Sequence, residues 1–143
     1  MGRILTLALA VALAGPAAAQ SVPKGGMIER VNDLRARSGM GPVSPDERLE
    51  EAALAHARDM SRRGYFDHRS PDGSSVGDRV RSAGYQWCSV GENIALGQRS
   101  IPEAFDAWLT SPGHRENMLG QFSQIGIARA PNNNWVMVLA APC

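Results

Sequence analysis

Two cysteines and three histidines are all that this 143-residue chain offers as thiol or imidazole ligands and bases. Cys88 and Cys143 do not stand in a Cys-x-x-Cys pair, which argues against a cysteine zinc site. No His-Glu-x-x-His occurs, so a zincin-type helix is excluded. Charge of one sign is not in excess either, with 15 Lys and Arg against 14 Asp and Glu. That balance gives no electrostatic ground for nucleic acid as a partner. There is no internal repeat and no low-complexity tract, so the length reads as one domain. The apolar run Ile4–Ala14 is too short and too early to span a membrane.

What is there begins with export. Arg3, the apolar run and the small residues of "GPAAAQ" make a signal peptide over residues 1–19. No cysteine follows it, so a lipid-anchored form is not expected. Losing Arg3 removes the single excess charge. The chain is therefore expected to be periplasmic or extracellular, without a transmembrane segment once processed, and monomeric. Residues 20–26 read as a flexible leader and residues 27–143 as the folded domain. In an exported chain an even cysteine count favours a disulfide, here Cys88–Cys143, which would tie down the C-terminus.

Periodicity predicts helices over Met27–Ser38, Asp46–Arg63, Val76–Ser82 and Ile101–Thr110, and a short one from Ser111 to near Gly120. The longest carries the stripe Leu49, Ala53, His56 and Met60. "GMGPVSP" reads as a loop. Tyr85–Leu96 is ambiguous, with a strand near Trp87–Val90. Ile125–Ala128 and Trp135–Ala140 read as strands separated by the turn-rich "PNNN". The pattern is that of a mixed α and β domain.

The three histidines differ in setting. His56, on an apolar stripe, reads as a core residue with one hydrogen bond to backbone. His68 follows the long helix in "GYFDHRSPDG", where Pro71, Asp72 and Gly73 fit a type I turn; it is either a simple exposed loop residue or a functional one. His114 lies in "SPGHRENML". Ser111 is placed to cap the helix, Pro112 fits its first position, and His114 falls in the first turn, where the helix dipole favours a neutral imidazole. Glu92, in "VGENIALG", lies on a buried segment and needs a partner. A histidine is one candidate, backbone N–H groups another. "GSSVG", Gly73–Gly77, matches a hydrolase pattern literally, but follows a turn instead of a buried strand, so Ser75 is not expected to be a nucleophile. Glu116 is expected to be solvated.

"FDHRSPDG", "GENIA" and "WLTSPGHRENML", in this order, resemble the bacterial branch of the CAP superfamily, the group of cysteine-rich secretory, antigen 5 and pathogenesis-related proteins. The resemblance runs from about Met27 to Cys143. It implies an α+β fold, a three-layer α-β-α sandwich with a small central antiparallel sheet. It also implies a cleft where His68, His114 and Glu92 meet, with Ser111 at a position that is glutamate in animal and plant members. A weakly bound zinc ion on His68, His114 and Glu92 is one expectation, weak because that second acid is missing. The first functional expectation is a secreted binding module for a lipid, glycan or envelope protein. The others are a zinc-dependent hydrolase with Glu92 as base, and a structural envelope protein.

Overall fold

The computed structural model describes residues 24–143. The expected signal peptide, and the leader up to residue 23, lie outside the described residues. Helix α1 runs over Lys24–Arg37, starting three residues before the expected Met27 and taking in the end of the expected leader. It is followed by a two-residue strand β1, Ser44–Pro45, and by the long helix α2, Glu47–Arg63. Next come α3 (Val76–Ser82), β2 (Trp87–Leu96), α4 (Ile101–Leu109) and α5 (Pro112–Met118). Strands β3 (Gln124–Ala130) and β4 (Asn134–Pro142) close the chain, joined by a 3-10 turn over Pro131–Asn133.

Local chemistry explains most of these boundaries. Asp46 caps α2 by accepting from the Arg48 amide, and Gly64 ends it in the left-handed region at φ 69°. Ser75 and Asp78 cap α3 reciprocally, so the serine of the hydrolase-like "GSSVG" is a helix cap. Ser100 caps α4 through the Glu103 amide. In the "PNNN" turn Asn132 and Asn133 both have positive φ, which asparagine tolerates better than most residues.

The sheet order is β1-β3-β4-β2. β4 is antiparallel to both neighbours, while β1 pairs with β3 in parallel over Ser44–Gln124 and Pro45–Ile125. The expected antiparallel sheet is therefore correct for its three long strands and not for its edge. β4 is apolar at nearly every position because it is covered on both faces. Trp135, Met137 and Leu139 join Met27, Val31, Phe105 and Trp108 in one core cluster. Val136, Val138 and Ala140 join Leu49, Ala53, Met60 and Val80 in the other. Helices α1 and α4 thus lie over one face of the sheet and α2 and α3 over the other, a three-layer α-β-α sandwich.

β2 is longer than the expected Trp87–Val90. Gly91, Glu92 and Asn93 hide its continuation because they are polar or lack a side chain, yet the pairing with β4 runs through to Leu96–Asn134. Cys88 on β2 and Cys143 just beyond β4 form a disulfide, with Cα atoms 4.8 Å apart.

Candidate functional site

The "GEN" segment organises the site by strand alternation, since successive side chains of β2 point to opposite faces. Asn93 turns toward α5. Its amide nitrogen donates to the carbonyl of His114 at 2.9 Å, and its oxygen accepts from Asn117 at 2.9 Å. Asn117 also reaches the carbonyl of Glu92 at 3.2 Å. Gly91 makes room for this docking: a Cβ there would lie 3.1 Å from Phe122 and 3.3 Å from Asn117. Trp108 of α4 adds a bond to the carbonyl of Ile94. The β2 edge is thereby covered, and α5 with His114 is fixed along it.

Glu92 turns the other way, toward α2 and α3, and is buried. Its Oε1 accepts from His68 Nδ1 at 2.9 Å, and its Oε2 accepts from Arg79 of α3 at 2.8 Å. His56 Nε2 lies 3.8 Å from the same Oε1. Arg79 also donates to the His68 carbonyl, to the Ser74 carbonyl and to Ser70 Oγ, and so locks the loop after α2. That loop closes a turn from the Ser70 carbonyl to the Gly73 amide, around Pro71 and Asp72, as expected. A carboxylate out of water is tolerable only when its charge and lone pairs are answered, and here a guanidinium and an imidazole answer them.

The imidazoles are tuned differently. The hydrogen bond to Glu92 holds the pKa of His68 above its ordinary value, against a smaller opposing effect of burial. Just over half of the His68 side chain remains exposed. Burial lowers the pKa of His56, and burial followed by the charge of His68 lowers that of His114. His114 is thus kept toward its neutral form as expected, but by desolvation and its neighbour. His114 Nδ1 is buried and has no hydrogen-bond partner. Ser111 occupies the N-cap position without the expected side-chain bond. Pro112 has no N–H, and the Ser111 amide itself closes a turn onto Trp108, so α5 is joined tightly to the end of α4. Glu116 is exposed, as expected.

His56 is buried and bonds the Asp67 carbonyl at 2.9 Å, the expected core histidine with a backbone partner. It also faces the Tyr65 hydroxyl at 3.4 Å, and that hydroxyl donates to Asp59 at 2.7 Å. Arg79, Tyr65 and Asp59 are residues that the sequence reading passed over. The signal for Arg79 was the unmet need of a buried Glu92 for a cation, together with its position three residues after Val76 on a short helix.

The residues suit a metal only in part. His68 gives one imidazole nitrogen to a carboxylate while its side chain stays more than half exposed, an arrangement like that of a metal-binding histidine with an outer carboxylate. His114 has an unpartnered buried nitrogen. Glu92, in contrast, has both oxygens engaged, and among the described residues no three His, Cys, Asp or Glu side chains are grouped to hold a metal ion. A groove of about 580 Å³ lies beside α5, lined by Leu109, Pro112, Arg115 and Leu119 among others, and includes none of the three histidines.

The cysteine-rich secretory protein (CAP) family matches this chain over residues 28–140. The chain belongs to that family. An uncharacterized Bacillus subtilis protein, YkwD, is 40% identical over 102 residues, which are 71% of this chain and 40% of that protein. An extracellular Bacillus anthracis protein containing an SCP domain superposes with TM-score 0.77 at 28% identity, over 80% of this chain and 39% of that one. An outer surface protein of Borrelia burgdorferi shares the fold, with TM-score 0.77 at 18% identity, over 87% of this chain and 98% of that one. The chain therefore spans about two fifths of the two Bacillus proteins, as one CAP domain. Among the described residues no helix is long and apolar enough to cross a membrane.

Proposed function

We propose that this CAP domain is an exported binding module in which His68 and His114 present imidazole nitrogens to a polar group of a lipid, glycan or envelope-protein ligand. One observation carries the reading. The Glu92 carboxylate is 2% exposed and spent on His68 and Arg79. It is a support for His68 and is not itself free to act as a base, whereas more than half of the His68 side chain is exposed and His114 keeps an unsatisfied buried nitrogen. Export rests on the N-terminal segment and on the extracellular and outer-surface character of the structural relatives.

The test is a binding panel of phospholipid vesicles, soluble cell-wall glycan fragments and envelope extracts, read by the NMR shifts of the two imidazoles. Binding that disappears in both His68→Ala and His114→Ala supports the proposal. Turnover of peptide or ester substrates that Glu92→Gln abolishes, with binding intact, would replace it by the hydrolase reading.

Zinc is a second reading, favoured by the pairing of His68 with Glu92. His68 and His114 would hold the ion and Glu92 would orient His68 from behind. When bound, the ion would supply a Lewis acid facing the cleft. Calorimetric zinc titration should then give one weak site at pH ~7.5 that fades toward pH ~5.5, because protons compete for the same nitrogens. If either single alanine variant binds zinc as the parent does, the two histidines are not a metal pair.

A further inference from the structure

We infer that His56 is a positioning residue for the cleft: from inside the α2 layer it holds the chain at Asp67 and thereby fixes the tautomer in which His68 meets a ligand. This rests on the reading of His68 as a ligand-facing group.

His68 sits between three separate supports. Its carbonyl accepts from Arg79 of α3 at 2.9 Å. Its Nδ1 meets Glu92 of β2 at 2.9 Å. The carbonyl of the residue before it, Asp67, meets His56 Nε2 of α2 at 2.9 Å. Each support comes from a different element, so the position of His68 is set by the packing of α2, α3 and β2 together. Asp67 also bonds the Arg69 amide through its side chain, which stiffens the segment on the other side of His68.

The proton positions follow from what each partner can do. A backbone carbonyl only accepts, so His56 must carry its proton on Nε2 to bond Asp67. Its Nδ1 then bears a lone pair toward Tyr65, whose hydroxyl is tied to the carboxylate of Asp59 at 2.7 Å. The Glu92 carboxylate also only accepts, so the neutral His68 must carry its proton on Nδ1. That leaves Nε2 of His68 as a lone pair for the cleft. A free neutral imidazole has no such constraint. Removing the hold on Asp67 lets the segment shift, lengthens the contact of 2.9 Å to Glu92 and releases the tautomer.

The tautomers are read by two-bond proton–nitrogen NMR correlation at a pH above the end of the His68 titration, which the same spectra locate first, because the Glu92 bond holds His68 protonated beyond the ordinary imidazole range. No ligand is needed. The expected result is Nε2–H on His56 and Nδ1–H on His68 in the parent protein. His56→Gln keeps an N–H donor near the Nε2 position and should keep Nδ1–H on His68. His56→Leu removes the donor, and His68 should lose that single tautomer. His56→Asn is too short to reach Asp67 and should do the same, which preserves the comparison if the leucine variant does not fold. Nδ1–H on His56 in the parent, or a folded leucine or asparagine variant with His68 unchanged, would overturn the inference. Loss of the tautomer in the glutamine variant would overturn it as well. Failure of the ligand-binding reading leaves these tautomers where they are, so the two claims fall separately.

Discussion

The ordinary imidazole pKa of 6.5 serves here as a dividing line, because burial and a carboxylate move the three histidines to opposite sides of it. His68 gains a proton more readily in the folded chain. Its contribution to stability is therefore full below the ordinary value and is lost as pH rises through the raised one. For His56 and His114 the sign reverses. The unfolded chain takes up those protons first, so folding is favoured above the ordinary value and loses ground as pH falls below it. An NMR titration should place His68 above 6.5 and His56 and His114 below it, with His68 moving back down in Glu92→Gln. A parent protein in which His68 titrates below His114 contradicts the assignment of the Glu92 bond.

Between elements, buried ties are also made by residues with no periodic signal. Arg35 of α1 is buried, and its guanidinium donates to the carbonyls of Gly41, Met118, Gly120 and Phe122. It therefore pins the end of α5, and the loop that leads from it to β3, to α1. A buried carbonyl left without a partner costs about 1–3 kcal/mol. Arg35→Met should accordingly lower the unfolding free energy by on the order of 3 kcal/mol or more in a denaturant titration; a loss below about 1 kcal/mol would show that water replaces the guanidinium. On the other face, a Cβ at Gly126 of β3 would lie 2.2 Å from the backbone of α2 at Leu49 and Glu50. Gly126→Ala should force α2 off the sheet at a cost of roughly 1–3 kcal/mol and shift the His56 resonances with it. Unchanged stability would mean that α2 gives way freely. These contacts mark the limit of what is legible in the residues alone. The stripe of Leu49, Ala53, His56 and Met60 announces α2, and Val136 to Ala140 announces β4. The motifs point to His68, Glu92 and His114. Arg35 and Arg79 do not announce themselves, because their partners are defined only once separate elements have packed, and the Tyr65–Asp59 pair depends on how the chain turns back just after α2. The two-residue β1 is legible only through its neighbour β3, and β2 is masked because its polar side chains answer α3 and α5 instead of following an apolar alternation.

For the molecule as a whole, the disulfide ties β2 to the segment just beyond β4: Cys88 lies at the register irregularity of β2 between Trp87 and Ser89, and Cys143 follows Pro142, the end of β4. Its sequence separation is 55 residues, so in the chain-entropy account it removes up to about 4 kcal/mol of freedom from the unfolded state. The native sheet depends on it much less evenly. Beyond the irregularity β2 and β4 stay in continuous register from Ser89–Ala141 to Leu96–Asn134. Both core clusters draw on β4 from Trp135 to Ala140, short of the cystine. Glu92, paired with Val138, is held from three further sides by His68, Arg79 and Asn117. Reduction, or a double Cys88→Ser and Cys143→Ser change, should therefore lower stability by up to about 4 kcal/mol while unfastening only the last residues of β4 and the start of β2. Hydrogen exchange should show protection lost at Trp87–Ser89 and Ala141 and kept at Glu92–Ile94. If protection falls at Glu92 as well, the cystine is part of what holds Glu92 against His68 and Arg79. If stability does not change, the C-terminal end is secured by strand pairing alone, and the unfolded chain is compact enough that the link removes little freedom from it.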